Sequence, residues 1–215
     1  MKRTALVTGA AHGLGAMAAR RLAAAAWDVV AVDVDELGLA KTAQRSPNTH
    51  TRVCDVTDPD AVAQVLAMAG TVHRVVHTAS VTPTGPVLAQ PLGEVEDALR
   101  TNVLGTVNVV RATLPGMLER RAGELFLCPD ASGPPQSPSA AAVAAYTDAL
   151  WAEHGGRGVK LRCVHAQAGT PHGLVLDAMD RSLARPAPDL HVRVRPSAPT
   201  APGGARPTMN VGGTA

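Results

Sequence analysis

Short apolar runs alternate with longer amphipathic stretches along most of this chain. Runs of strand length occupy residues 5–8, 28–33, 50–54, 72–80, 123–128, 158–164 and 190–195. Stretches with helical periodicity occupy residues 16–26, 59–68, 92–117, 137–155 and 173–184. Such alternation is typical of α/β proteins, and the length of 215 residues suits one domain with a sizeable core. We therefore predict a single α/β domain.

The first apolar run leads directly into a glycine-rich turn. Residues 5–15 read ALVTGAAHGLG, and a helical pattern follows. Gly9 permits a tight turn, Gly13 lets the backbone approach a pyrophosphate, and Gly15 lets the helix pack on the strand. Together with Leu14, these glycines place backbone amides at the start of a helix, where an anion binds. The turn is therefore interpreted as a dinucleotide-binding loop.

The second predicted strand ends in an acid, Asp33. A carboxylate roughly 20 residues beyond such a loop accepts hydrogen bonds from the adenosine ribose hydroxyls and repels a 2′-phosphate. This position favours NAD over NADP as the cofactor. If the register of the strand shifts, Asp35 provides the carboxylate instead.

Charge and hydropathy exclude several classes of partner. The net charge is +2 and the arginines are scattered, so we expect no nucleic-acid partner. No apolar run reaches membrane-spanning length, and the first strand begins within a few residues of Met1, which leaves no room for a signal peptide. We therefore expect no membrane partner and a cytoplasmic protein.

The cysteines do not form a recognisable pattern. Cys54, Cys128 and Cys163 each lie in or at the end of a predicted strand, without C-x-x-C spacing or paired histidines. We therefore predict buried thiols, with neither a disulfide nor a metal site.

The pattern Thr8-Gly9-x-x-x-Gly13-x-Gly15 resembles the nucleotide loop of the short-chain dehydrogenase/reductase superfamily. The resemblance implies a Rossmann-like, doubly wound and mostly parallel sheet with helices on both faces, extending to about residue 171. It also implies that His12, a weak form of the basic residue that NADP users carry, leaves NADP possible. By the same resemblance, further cofactor contacts are Asp55, Val56, Thr78, Ala79 and Thr170. His77 stands where common members carry asparagine, and we interpret it as a structural imidazole, with an acid/base role as the alternative.

The resemblance weakens where the family has its proton-handling residues. Asn102 matches the asparagine at a helix kink that helps to hold a water of the proton relay. The family's catalytic serine aligns with Asp130. The tyrosine and the lysine of its Tyr-x-x-x-Lys pair align with Gln136 and Ala140. Ser132, two residues after Asp130, is a possible substitute for the serine.

The only tyrosine of the chain does not restore the missing pair. Tyr146 has no lysine four residues later, and the helical pattern places it among apolar side chains. We therefore interpret it as a packing or subunit-contact residue. In the family, this helix and the helix carrying Asn102 form a dimer face, so the resemblance implies a homodimer or homotetramer.

The last residues differ in composition from the rest. Residues 196–215 are rich in Pro, Ala, Gly and Thr, which predicts a flexible tail after a domain at 1–195. Residues 207–213 resemble the end of the family's last strand, so the sequence leaves open whether they or residues 190–195 pair with the sheet.

Three functions are compatible with these observations. The first is an atypical NAD(P)-dependent oxidoreductase that reduces a carbonyl of a small, secondary-metabolite-like substrate, with the proton from Asp130, Ser132, a water near Asn102 or the substrate. The second is a lyase, dehydratase or cyclase on the same scaffold. The third is a catalytically inactive partner protein that binds a dinucleotide. Because the cofactor-binding residues look complete, the first and third are favoured over the second.

Overall fold

The computed structural model describes residues 2–129, 137–184 and 189–196. Within these residues the strands form one sheet in the order β3-β2-β1-β4-β5-β6-β7, and every neighbouring pair is parallel. The strands are β1 (Thr4–Thr8), β2 (Asp28–Asp33), β3 (Thr49–Val53), β4 (Arg74–His77), β5 (Gly123–Leu127), β6 (Val159–Ala166) and β7 (His191–Val194). This is the doubly wound, Rossmann-like α/β architecture that the sequence predicts.

Helices cover both faces of the sheet. They are α1 (Gly13–Ala24), α2 (Glu36–Ala43), α3 (Pro59–Ala69), α4 (Leu92–Ala98), α5 (Gly105–Glu119), α6 (Pro138–His154) and α7 (His172–Ala184). A π-helical segment, Leu99–Leu104, joins α4 to α5, and Val87–Ala89 forms a short 3₁₀ turn before α4. None of the helices in the described part of the chain combines the length and apolar character that a membrane span requires.

The core consists of two apolar layers, one on each face of the sheet. Successive side chains of a strand point to opposite faces. Ala5 and Val7 of β1 therefore pack in one layer with α1 and α7. Leu6, between them, packs in the other layer with residues of α3, α5 and α6. Near-continuous apolar strands are required here because both faces are covered.

Two helix starts follow local capping chemistry. Asp58 accepts a hydrogen bond from the Ala61 amide (3.2 Å) at the start of α3. Ser137 accepts one from the Ala140 amide (3.1 Å) at the start of α6. In both cases a proline follows the cap, where its missing N–H is not needed. The predicted start of α6 is confirmed.

The structure corrects three details of the sequence prediction. α1 begins at Gly13 rather than at residue 16, and α2 has no counterpart among the predicted elements. The long helix predicted over residues 92–117 is present, but the π-helical segment widens its middle. Of the two candidate last strands, His191–Val194 pairs with β6, whereas residues 207–213 lie outside the described part of the chain.

The topology determines where a ligand can bind. β1 pairs with β2 on one side and with β4 on the other, so the direction of strand order reverses at β1. In open parallel sheets a crevice forms at the carboxyl ends of the strands at such a switch point. The turns after β1, β2, β3 and β4 all meet there.

Candidate functional site

The glycine turn after β1 is tightly packed against the neighbouring turn. Gly9 has φ +67°, and a Cβ atom there would lie 2.7 Å from the Ala79 nitrogen. A Cβ atom at Gly15 would lie 2.1 Å from the carbonyl oxygen of Gly9. No side chain can therefore occupy either position without moving the backbone, and the turn leads directly into the N-terminus of α1. Amides at such a terminus form an anion site.

Residues from other elements hold the turn in place. Thr78, after β4, donates its hydroxyl to the carbonyl of Thr8 (2.8 Å), and its own N–H bonds to the same oxygen (3.2 Å). Thr42 of α2 donates its hydroxyl to the carbonyl of Ala10 (2.8 Å). Because the carbonyls are engaged on the protein side, the turn is ordered before any ligand binds.

Asp33 lies at the end of β2 and faces the same turn. Its Oδ2 accepts a hydrogen bond from the Ala11 N–H (3.0 Å), and its Oδ1 accepts one from the Asp35 N–H (3.1 Å). The side chain is thus held in one orientation. Each carboxylate oxygen has a further lone pair that can accept a ligand hydroxyl.

His12 is paired with a carboxylate. Its Nε2 donates to Oδ2 of Asp35 at 2.6 Å, and Asp35 also accepts the Gly38 amide at 3.0 Å as the cap of α2. The bonds from Gly38 and His12 hold the pKa of Asp35 below its usual range. Two carboxylates, those of Asp33 and Asp35, therefore line this end of the crevice.

A cavity of about 480 Å³ occupies the crevice, a size typical of small-molecule sites. Most of the cofactor residues predicted from sequence line it. They are Gly9, His12, Gly13, Leu14, Gly15, Asp33, Asp55, Val56, Thr78 and Ala79. Thr170 is not among the lining residues. It is buried, and its hydroxyl donates to the Gln167 carbonyl (2.6 Å).

The segment after β3 forms the wall beyond Asp33. Asp55 is exposed and accepts the Thr57 amide (2.8 Å) in a local turn. Val56 is buried, and its carbonyl accepts a hydrogen bond from the side chain of Asn108 (3.0 Å). A Cβ atom at Gly105 would lie 2.7 Å from Val56, so α5 can approach this wall only because residue 105 is glycine.

Sequence reasoning missed several lining residues. Among these, the buried hydroxyl oxygen of Ser80 has no hydrogen-bond partner in the described part of the chain. The remaining ones are Val32, Val34, Cys54, Val81 and Thr101. Burial and the neighbouring Asp55 and Asp58 raise the pKa of the Cys54 thiol to about 11. Leaving a buried hydroxyl unpaired is costly, so the one at Ser80 is a feature of this wall that the hydrogen bonds of the described residues do not explain.

Asn102 lies in the π-helical segment and is buried. Its Oδ1 accepts the Val81 N–H (2.8 Å), while its Nδ2 donates to the Val81 carbonyl (2.8 Å) and to Oγ of Ser139 (2.9 Å). Its own carbonyl accepts the Thr106 hydroxyl (2.5 Å). Both amide hydrogens are engaged, so Asn102 connects the turn after β4 to the start of α6.

His77, at the end of β4, is enclosed by two threonines. Its Nδ1 lies 2.6 Å from Oγ1 of Thr8, and its Nε2 lies 3.0 Å from Oγ1 of Thr106. Burial lowers the pKa of His77 to about 4. A neutral imidazole with both nitrogens bonded is structural, in agreement with the first interpretation from sequence.

The remaining candidates for proton handling are placed as follows. Asp130 and Ser132, together with Gln136, lie outside the described residues. Ala140 is buried in the first turn of α6. Tyr146 packs against the apolar layer that contains α5 and α6, and burial raises its pKa. The predicted packing role of Tyr146 is confirmed.

The sheet order, the glycine turn and the carboxylate at the end of β2 together define a dinucleotide-binding protein of the Rossmann type. The chain belongs to the short chain dehydrogenase family, which it matches over residues 3–170.

Individual relatives agree with this assignment. The chain is 37% identical over 132 residues to sulfoacetaldehyde reductase 2 of Chromohalobacter salexigens, covering 57% of this chain and 52% of that protein. It is 31% identical over 169 residues to 2-dehydro-3-deoxy-L-rhamnonate dehydrogenase (NAD(+)) of a Sphingomonas species, covering 73% and 68%. The chain thus spans between about half and two thirds of the length of these curated relatives.

Solved structures agree with the fold. An actinorhodin polyketide ketoreductase with NADPH superposes with a TM-score of 0.68 at 25% identity, covering 77% of this chain and 70% of that one. A metagenomic short-chain oxidoreductase in complex with NADP superposes with a TM-score of 0.79 at 21% identity, covering 91% and 98%.

Proposed function

We propose that this chain is an NAD-linked oxidoreductase that interconverts a carbonyl and an alcohol on a small substrate. The observation that carries the proposal is the fixed Asp33 carboxylate beside a glycine turn in which Gly9 and Gly15 have no room for a Cβ atom. Such a pair binds the ribose and the pyrophosphate of a dinucleotide. Ser80 lines the same cavity, and within the described residues its buried hydroxyl has no hydrogen-bond partner.

The charges in the cavity favour NAD over NADP. A 2′-phosphate on the ribose would face the carboxylates of Asp33 and Asp35, and like charges repel. His12 is the basic residue among those that line the cavity, but it is already bonded to Asp35. The NAD(+) in the name of the Sphingomonas relative agrees with this proposal.

A bound nicotinamide dinucleotide supplies the hydride in this chemistry. Residues of the chain would orient the dinucleotide. The glycine turn and Asp33 hold its adenosine half, and Thr78 and Ala79 line the cavity on the side of its nicotinamide half. Thr170 is the candidate contact for the carboxamide. The proton for the developing alkoxide comes from Asp130, Ser132, a water near Asn102 or the substrate itself.

The proposed substrate class is a small carbonyl compound of secondary metabolism. Two similarities support it. The polyketide ketoreductase is 25% identical to this chain. The 1-deoxy-11-beta-hydroxypentalenate dehydrogenase of Streptomyces avermitilis is 36% identical over 126 residues, covering 54% of this chain and 47% of that protein.

Calorimetric titration with NADH, and separately with NADPH, tests the cofactor proposal. We expect NADH to bind more tightly. Asp33→Asn should weaken NADH binding about ten- to a hundredfold, because a charge-assisted hydrogen bond is worth about 1.5–3 kcal/mol. Asp28→Asn is the matched control, since Asp28 lies at the opposite end of β2 and pairs with Lys2 at the surface.

Two results would contradict the cofactor proposal. Tighter binding of NADPH by the wild-type chain would show that His12 outweighs the two carboxylates. Absence of binding by either dinucleotide would remove hydride transfer from consideration and favour the lyase, dehydratase or cyclase.

The proton donor is tested by turnover of a panel of small ketones and aldehydes with NADH. If Asp130 is the general acid, Asp130→Asn lowers kcat about a hundred- to ten-thousandfold while NADH affinity is unchanged. Unchanged turnover would exclude Asp130 and leave Ser132, water or the substrate.

A second candidate function is supported by one observation. The only tyrosine, Tyr146, is followed four residues later by Leu150 rather than by lysine. A chain without the family's proton-handling pair could bind a dinucleotide as a partner of an active relative. Tight NADH binding, no turnover across the panel and co-purification with a catalytically complete relative would favour this function.

A further inference from the structure

A cluster of three metal-ligating side chains lies between β6 and β7, away from the cavity at the glycine turn. Cys163 and His165 are two residues apart on β6 and therefore point to the same face. His191, the first residue of β7, pairs in register with Cys163. The candidate ligand atoms of the three side chains all lie within 4.8 Å of one another.

The donor set suits zinc. Thiolate sulfur and imidazole nitrogen bind Zn²⁺ at about 2.3 Å and about 2.0–2.1 Å, which places two donors about 3.3–3.6 Å apart in a tetrahedron. Nε2 of His165 and Nδ1 of His191 are 2.9 Å apart. No two of the three donor atoms are more than 4.8 Å apart, so the observed separations span the spacing that a tetrahedral ion requires.

A fourth residue orients one of the ligands. Asp148 of α6 accepts a hydrogen bond from Nε2 of His191 at 2.8 Å. Because Nε2 carries the proton, the lone pair of Nδ1 in the neutral ring faces His165. A carboxylate bonded to the outer nitrogen of a histidine is the arrangement that fixes metal-ligating histidines.

Burial also favours a site at this position. Cys163 is fully buried, whereas the side chain of His191 is 21% exposed and that of Asp148 is 60% exposed. The thiolate would be shielded from solvent, and an ion could enter from the side of His191. None of these residues lines the cavity at the glycine turn.

We propose that Cys163, His165 and His191 bind one zinc ion, with Asp148 as the positioning residue for His191. On binding, the Cys163 thiol releases its proton to solvent and a zinc–sulfur bond forms, while both imidazoles bind as neutral rings. Three protein ligands leave a fourth position for water. The ion connects β6 to β7, the strand at the edge of the sheet.

The cysteines are buried thiols, as predicted from the sequence. The proposed zinc site goes beyond that prediction, for a physical reason. No histidine pair stands beside Cys163 along the chain, because His191 lies 26 residues beyond His165. Strand pairing brings the three side chains together.

The test uses the full chain purified without a histidine tag, stripped with a chelator and equilibrated with zinc. We expect one zinc per chain by elemental analysis after dialysis. With Co²⁺ as the probe, a thiolate-to-cobalt charge-transfer band should appear, which requires a cysteine ligand. Cys163→Ala should abolish this band, and His191→Ala should reduce cobalt affinity at least a hundredfold.

Two further variants separate ligation from folding. Cys128→Ala is the matched control, because Cys128 is an equally buried thiol outside the cluster, and it should retain both the band and the stoichiometry. Asp148→Asn should keep the band and weaken affinity about ten- to a hundredfold. Circular dichroism of each variant shows whether it is folded.

The wild-type chain alone can overturn the proposal. The cluster is not a metal site if cobalt binds without a charge-transfer band. The same conclusion follows if the affinity for zinc is no higher than that of surface histidines. Retention of the band in folded Cys163→Ala would also overturn it.

Discussion

His77 illustrates how burial changes the chemistry of a single side chain. Its pKa is lowered to about 4 because the protonated ring would be desolvated between Thr8 and Thr106. The unfolded chain binds a proton near the ordinary pKa of about 6.5, whereas the folded chain does not until about pH 4. The stabilising contribution of neutral His77 is therefore fully present above the unfolded pKa and is lost as the pH falls between these values.

This titration predicts a stability profile. Between pH 6.5 and pH 4 the free energy of unfolding should fall by about 3 kcal/mol from His77 alone. Urea unfolding of the wild type and of His77→Asn across this range measures it. The variant should be less stable at pH 7 but show a flatter pH dependence. If the free energy of unfolding depends equally on pH in the two proteins, His77 is not the source of this pH dependence.

Asn102 is a second residue whose role depends on its contacts. The family resemblance implies that Asn102 helps to hold a water of the proton relay, and in the structure both of its amide hydrogens are bonded, to Val81 and Ser139. Asparagine in a helix is locally unfavourable, and the long-range bonds of this side chain offset that cost. The water-holding role stays a prediction, since residues 130–136 lie outside the described part of the chain.

The glycine turn and α1 act as one element. Gly15 is the point where the helix backbone meets the turn, since a Cβ atom there would lie 2.1 Å from the carbonyl oxygen of Gly9 and 2.5 Å from Oγ1 of Thr78. The π-helical segment before α5 is also an element-level feature. It brings Asn102 to the turn after β4, next to the same crevice.

Gly15→Ala should abolish dinucleotide binding and destabilise the fold by about 3 kcal/mol or more, because the clash can be relieved only by moving backbone. Gly93→Ala is the control. Gly93 is exposed in α4, and a Cβ atom there would have no neighbouring atom within 4 Å, so alanine should stabilise by about 0.5–1 kcal/mol. Thermal unfolding and NADH titration measure both.

A result in which Gly15→Ala binds NADH like the wild type would contradict the assignment of this turn. Loss of binding in Gly93→Ala would show that the effect is not local to α1.

Assembly concerns the whole molecule. Ala141 and Ala145 of α6 are exposed on the side of the helix opposite the buried Val143 and Thr147, and small side chains permit close helix approach. The family resemblance implies a homodimer or homotetramer with this helix in the interface. We therefore propose that α6 packs against a second copy.

Ala145→Arg should weaken self-association at least about tenfold, because a long cationic side chain cannot fit a closely packed helix contact. Ala67→Arg is the control, since Ala67 is also exposed and lies on α3. Sedimentation of the three proteins over a concentration series measures the effect. Equal weakening of self-association by both variants would place the interface elsewhere. A monomeric wild type would exclude the interface.

The sequence by itself determined the features that depend on neighbouring residues. The strands are visible as apolar runs because both faces of the sheet are covered, and the Ser137 cap of α6 and the glycine turn are visible because capping and tight turns involve residues a few positions apart. The doubly wound order followed from the family resemblance and was confirmed.

Only the tertiary structure decided which distant side chains meet. The pairing of His12 with Asp35, the enclosure of His77 by Thr8 and Thr106, and the cluster of Cys163 with two histidines all join residues from separate elements. These contacts depend on strand order and register, which place residues dozens of positions apart within hydrogen-bonding distance. No local pattern along the chain encodes them.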